Sequence, residues 1–185
     1  MTTKMCRHLT AFVLLILALG LSTKISDEVR RGKFLGVTMY FNMSRHSFGE
    51  LQSKLFPKYF LAGICLSVVS LASYCLMHPM DIWEGRHQIQ VVGLTVSLLC
   101  NMVNYMWLEP STTRLMVQRY AFEKERGYGD EIGPIPDNKL KTNEDYLKIT
   151  KSFACIHGFS SMLNLASYAG CLLHLWYLAS FVEML

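Results

Sequence analysis

The sequence predicts an all-α integral membrane bundle of four membrane helices, the first of them short or irregular. Two observations carry that prediction. The hydrophobic residues, 51% of the 185, are gathered into Leu9–Leu21, Tyr59–Met77, Val91–Leu108 and Phe153–Leu185, with nearly all charge between these runs. Within the second run, Leu61–Leu76 holds no charged residue, whereas a helix packed on a soluble core shows a polar stripe at helical spacing.

The chain opens with Lys4, Arg7 and His8 ahead of an apolar run that ends in Ala18-Leu19-Gly20. That pattern fits a secretory signal or a short first membrane helix, since ~13 residues rise only about 20 Å. Ser22–Lys33 is polar and charged and cannot lie in hydrocarbon, and Phe34–Met43 is apolar again but too short to cross. Residues 22–44 therefore read as an irregular, interfacial insertion. In Arg45–Phe60, which leads into the second span, Pro57 is expected in the first turn of the helix that follows. Tyr59 and Phe60 then mark the interface, with Lys54 and Lys58 placed to meet lipid phosphates. The span itself ends at His78-Pro79.

The third run, Val91–Pro110, organises the rest. Its ~18 apolar-dominated residues span roughly 27 Å, close to the hydrocarbon thickness, and Trp107 stands where an interfacial aromatic belongs. Asn101 and Asn104 share one face, which Ser97 continues one turn earlier. Amides facing lipid are costly, so this face is expected to look inward. Beyond Pro110, Ser111 or Thr112 is expected to cap a helix whose Glu123-Lys124-Glu125-Arg126 end is solvated. Gly127–Pro136 reads as a loop, and Thr142 or Asn143 starts a helix that runs unbroken into the last span.

On that last helix His157, Ser160, Ser161 and Asn164 recur at helical spacing. The two stripes are expected to meet as one polar seam of Asn101, Asn104, Glu109, His157, Ser160, Ser161 and Asn164. Two readings stay open there: interhelical hydrogen-bonding glue, and a Glu109–His157 pair that binds or gates a polar ligand. His174 reads as structural.

The placement of charge orients the bundle. Of the 18 Lys and Arg, two precede Leu9, seven lie between Ser22 and Lys58, one lies between His78 and Ile89, and eight lie between Glu109 and Ser152. Positive-inside bias then puts the first and third loops in the cytosol and both termini outside it, and it favours a retained first helix over a cleaved signal. The chain reads as one membrane domain over residues 1–185, of the endomembrane system or plasma membrane, with 109–152 a cytosolic loop with helical flanks. Its six cysteines form no CxxC pair and fall mostly in apolar runs, so they read as small buried hydrophobes; no metal and no cofactor is expected. Without HExxH, paired Asp on facing helices or a nucleophile–base pair, no catalytic residue is assigned and no enzymatic activity is expected. The basic loops also carry acids and lack an aromatic-interleaved patch, so nucleic acid is not a partner. The expected partners are the lipid bilayer and either a second copy or another membrane protein.

Three groups of residues carry a resemblance. Arg45-His46-Ser47-Phe48-Gly49, Gln52-Ser53-Lys54-Leu55-Phe56-Pro57 and Tyr59-Phe60 form the first. Trp107-Leu108-Glu109-Pro110, Thr112-Thr113 and Glu123-Lys124-Glu125-Arg126-Gly127 form the second, and His157-Gly158, Ser160-Ser161 and Asn164-Leu165 the third. In this order and spacing, over about residues 37–180, they resemble the signatures of the transmembrane protein 205 family. The resemblance implies a four-pass membrane protein without an established enzymatic activity. It marks Arg45, His46, Phe48, Gly49, Gln52, Ser53, Lys54 and Pro57 as motif residues at the approach to the membrane. The chain departs from the pattern at its first helix, which Ser22–Lys33 interrupts. Two functions are carried forward: solute handling or tolerance of toxic compounds through the polar seam, and a scaffold or adaptor in vesicle traffic or secretion.

Overall fold

The computed structural model describes residues 35–78, 85–135, 140 and 142–182. The first apolar run Leu9–Leu21, the polar stretch Ser22–Lys33 and the choice between signal and retained helix lie outside the described residues, as do residues 79–84. Among the described residues the regular elements are all helical: α1 Leu35–Asn42, α2 Arg45–Met77, α3 Arg86–Val103, α4 Glu109–Lys124 and α5 Glu144–Val182. A π-helical turn, Asn104–Leu108, joins α3 to α4.

Two helices are long and apolar enough to cross a bilayer, over Arg45–Leu76 and over His87–Lys124. α5 is longer still, at 39 residues, and Asn143 caps its start by accepting a 2.9 Å hydrogen bond from the Tyr146 amide. Leu61, Leu66, Val68, Val69 and Leu76 on α2 lie exposed, as do Leu165, Leu172, Leu173 and Trp176 on α5. Apolar faces this long are stable against lipid and not against water.

Pro57 and Pro110 behave differently from expectation. Pro57 does not begin a helix; it lies inside α2, which starts at Arg45. Only the Ser53 carbonyl loses its helical partner there, and the N-terminal turns of α2 are anchored by other contacts described below. Pro110 likewise starts nothing, and neither Ser111 nor Thr112 caps a new helix. Its ring would press on the Met106 carbonyl in a regular α-helix. The backbone instead widens into the π turn, in which the Glu109 amide bonds the Asn104 carbonyl, and Thr112 Oγ1 donates to the Leu108 carbonyl at 2.7 Å. The helix therefore continues from Arg86 to Lys124.

The tightest packing is between α3 and α5, and small residues make it so. A methyl group on Gly170 would lie 2.5 Å from the Gly93 carbonyl oxygen and 2.6 Å from Ser97 Oγ. With the backbones this close, Ser97 Oγ donates to the Ser167 carbonyl at 2.6 Å and Asn101 Nδ2 donates to Ser167 Oγ at 2.8 Å. One turn on, Ser160 Oγ donates to Asn104 Oδ1 at 2.6 Å. Ser97 and Asn104 are wholly buried, as the inward-facing stripe predicts. α2 closes over this seam, with Gly63 leaving room for the Asn101 side chain. At the end of the bundle away from Arg45, His174 is buried and bonds Gln90 at 3.1 Å, a structural role in keeping with its expected one.

Gly170→Val should lower stability by roughly 1–3 kcal/mol, because the close approach leaves no room for a side chain. Gly158→Ala, at a site with open space around it, should stay within ~0.5 kcal/mol of the parent. Thermal unfolding of the purified protein in mild detergent checks both.

Candidate functional site

The polar ends of α2, α4 and α5 meet around one carboxylate. The glycine-containing loop after α4 folds back so that its carbonyls cap the start of α2: the Arg45 amide donates to the Glu131 carbonyl at 2.9 Å and the His46 amide to the Gly129 carbonyl at 3.1 Å. Gly129 has φ 134° and lies directly against the His46 ring, so this position suits glycine alone. Arg45 and His46 are thereby aimed at the last turn of α4. There Glu123 is wholly buried, and Arg45 grips it with a fork, Nη2 to Oε1 at 2.9 Å and Nε to Oε2 at 3.0 Å. Tyr146 on α5 donates to Oε1 at 2.8 Å, and His46 Nε2 lies 2.9 Å from Oε2. A carboxylate taken out of water persists only when paired and hydrogen-bonded in this way. Burial pushes the Tyr146 phenol above its ordinary pKa, and the Glu123 carboxylate beside it pushes the same way. Tyr120 completes the knot: its hydroxyl donates to the Arg45 carbonyl at 3.1 Å and its ring stacks on His46.

The expectation of a solvated end to α4 holds for Lys124, Glu125 and Arg126, which are exposed, and fails for Glu123. A signal for its burial was present. Met116, Arg119 or Tyr120, and Glu123 recur at helical spacing, but an acid inside a run of four charged residues reads as solvent-facing until its partners are known.

Next to this knot, α1, α2, α4 and α5 enclose a cleft of about 510 Å³. α2 lines it with Arg45, Phe48, Gln52, Ser53, Phe56 and Phe60. α4 contributes Glu109, Thr112, Thr113 and Arg119, and α5 contributes Phe153, His157, Ser160, Ser161 and Asn164. Residues read separately from the sequence, as a motif before the second span and as a seam between the last two, thus face a common space. Within the motif, Arg45, Phe48, Gln52 and Ser53 look into the cleft, while His46 and Gly49 pack against Tyr120. Lys54 does not face the cleft; it is exposed and pairs at 2.7 Å with Glu50, one turn earlier.

The expected single seam is divided. Asn101 belongs to the buried α3–α5 contact with Ser167, and Asn104 pairs with Ser160. Asn164 turns away from α3: its Oδ1 accepts from Tyr59 of α2 at 3.0 Å, and the Tyr59 and Tyr168 hydroxyl oxygens are hydrogen-bonded at 2.7 Å. The reason is geometric, since four residues on from Ser160 the helix has turned ~40° past a full revolution, toward α2. Tyr59, expected at the lipid interface, is therefore a helix–helix contact. Glu109 and His157 both line the cleft, but no hydrogen bond or ion pair joins them among the described residues. Glu109 Oε1 accepts from Thr113 at 2.8 Å, while His157 stacks on Phe153 with centroids 5.5 Å apart. Ser161 Oγ donates to the His157 carbonyl of its own helix. Arg119 is a residue the sequence did not single out. Its guanidinium lies over the Phe153 ring, 4.5 Å from the centroid, and its Nε is buried without a hydrogen-bond partner. Among the described residues, no three His, Cys, Asp or Glu side chains converge to hold a metal.

A family model described as a domain of unknown function (DUF4149) matches residues 31–121. Transmembrane protein 205 of Danio rerio is 31% identical over 175 residues, which is 92% of this chain and 93% of that relative. The chain belongs to the transmembrane protein 205 family. No solved structure matches. Membership of this family, together with the apolar helices, makes the chain an integral membrane protein.

Glu123→Gln should destabilise the protein by about 3 kcal/mol, because it leaves the Arg45 and Arg119 guanidinium groups without their counter-charge in a buried setting. Glu125→Gln, on the exposed side of the same turn, should change stability by less than ~0.5 kcal/mol. The difference between their thermal midpoints in detergent tests the burial of Glu123.

Proposed function

We propose that this protein handles an amphipathic solute, without enzymatic chemistry, in the cleft among α2, α4 and α5, and that the solute presents a positive charge to Glu109. Glu109 carries this reading. It is a carboxylate only 9% exposed, with one hydrogen bond, from Thr113, on the wall of a cleft of about 510 Å³. A buried charge so sparsely paired favours a counter-charge. Phe48, Phe56, Phe60 and Phe153 line the same space and offer rings to an organic cation. The serine hydroxyls nearby support binding over catalysis: Ser160 Oγ bonds Asn104 and Ser161 Oγ bonds its own helix, and neither bonds His157 as a nucleophile would bond its base.

Tetraphenylphosphonium and tetraphenylborate, equal in shape and opposite in charge, test this with the protein in lipid nanodiscs. The phosphonium should bind at least ~tenfold more tightly, and Glu109→Gln should remove that preference. Equal binding of the two ions, or a preference indifferent to Glu109→Gln, would refute the reading. Failure of both to bind would favour a scaffold.

The same proposal places four spans in the membrane and the cleft at the cytosolic end. In support, Arg45, Arg119, Lys124 and Lys148 lie on segments that meet around Glu123, and positive-inside bias assigns such a basic end to the cytosol. In a cysteine-free background, Lys124→Cys should react with an impermeant maleimide only after the cytosolic face is opened. Reaction in sealed cells would reverse the orientation.

A further inference from the structure

We infer that the cleft recognises a zwitterionic, phosphate-bearing lipid headgroup of the phosphocholine or phosphoethanolamine kind, with the phosphate at Arg119 and the ammonium at Glu109. The inference rests on the cation reading of Glu109 and adds an anion subsite at the other end of α4. Two guanidinium groups, of Arg45 and Arg119, approach Glu123, so one positive charge remains when that carboxylate is counted. The sharing is unequal. Arg45 takes both oxygens in a fork, and Tyr146 and His46 occupy further positions around them. Arg119 is left with an ion pair to Oε1 at 3.4 Å from Nε, and that buried nitrogen has no hydrogen-bond partner. Its guanidinium rests on the Phe153 ring and its side chain is 12% exposed, on the cleft wall. A planar cation held by a ring, with one donor left unbonded, suits a phosphate oxygen.

Spacing argues that one molecule fills both subsites. Glu109 and Arg119 are ten residues apart on α4, or ~15 Å of rise. The Glu109 carboxylate reaches along the helix to Thr113, one turn nearer Arg119, and so shortens the gap between the charged tips. A single small ion leaves one of the two charges unpaired, whereas a zwitterionic headgroup with a contact at each end spans the gap. Thr112 and Thr113 lie between the two ends on the same wall. Phe56 and Phe60 continue along α2 toward its apolar half, where the first carbons of an acyl chain belong.

The test uses the full chain in maltoside micelles and reads the shift in thermal unfolding against probe concentration. The probes are an alkylphosphocholine, the alkyltrimethylammonium and alkyl phosphate of the same chain length, inorganic phosphate, and tetraphenylphosphonium. The phosphocholine should reach half-effect at a concentration about tenfold below that of either single-charge amphiphile. Arg119→Gln should bring it to the level of the trimethylammonium probe, and Arg119→Lys, which keeps the charge but loses the planar fork, should restore part of the difference. Equal potency of phosphocholine and trimethylammonium probes would overturn the inference, as would an advantage that survives Arg119→Gln in protein shown to be helical and monodisperse. Potency of inorganic phosphate equal to that of the phosphocholine would overturn it in favour of a free-phosphate site. A response to tetraphenylphosphonium with no phosphocholine advantage removes this inference alone; no response to tetraphenylphosphonium removes the cation reading and this one with it.

Discussion

The buried carboxylate of Glu123 ties the polar ends of α2, α4 and α5 together. Arg45 from α2, Tyr146 from α5 and Arg119 from its own helix all turn inward to one carboxylate that has no contact with water. Without it, two guanidinium groups would face each other across the polar ends of the bundle, and like charges at that distance separate helices. With it, the ends of three helices are drawn to one point, and the cleft lined by Phe48, Phe56, Phe60 and Phe153 lies beside the knot. The loop that follows α4 is fastened to the same point, because its carbonyls cap the start of α2.

A second constraint acts in the membrane-length part of the fold. Gly93 and Gly170 let α3 and α5 approach closely enough for serine hydroxyls to reach backbone carbonyls across the interface. Lipid offers helices no hydrophobic reason to associate, so close packing and satisfied polar groups must do so instead. The buried seam of Ser97, Asn101, Ser167 and the Asn104–Ser160 pair meets that need, and its polar atoms are consumed by it. The cleft is different in kind: Glu109, Arg119 and His157 are polar groups on a wall, with capacity left over.

The π turn is the hinge between these two regions. Along a regular α-helix, five residues from Asn104 to Glu109 advance ~500°, so Glu109 would point about 140° away from the seam. The wider turn, which relieves the Pro110 ring of the Met106 carbonyl, closes an Asn104–Glu109 backbone bond and carries both side chains inward, Asn104 to Ser160 and Glu109 to the cleft. A proline that reads as a terminator thus becomes the residue that aligns the seam with the site.

The amino-acid sequence by itself determined the helical membrane character, the inward face of Ser97, Asn101 and Asn104, the loop after Arg126 and the unbroken last helix. Each depends on local composition or on periodicity along one helix, and both can be read from a single strand of text. It also singled out Glu109, His157, Ser160 and the residues from Arg45 to Ser53 as unusual. Only the tertiary structure decided that Glu109, His157 and Ser160 face one cleft with Arg45, Phe48, Gln52 and Ser53, that Asn164 belongs to Tyr59 rather than to Asn104, and that Glu123 is buried while its neighbours Lys124 and Glu125 are not. Those outcomes turn on rotations of tens of degrees about helix axes and on partners as many as 105 residues away. A charge in a polar run looks the same whether it meets water or a guanidinium from another helix, and the difference appears only when the helices are brought together.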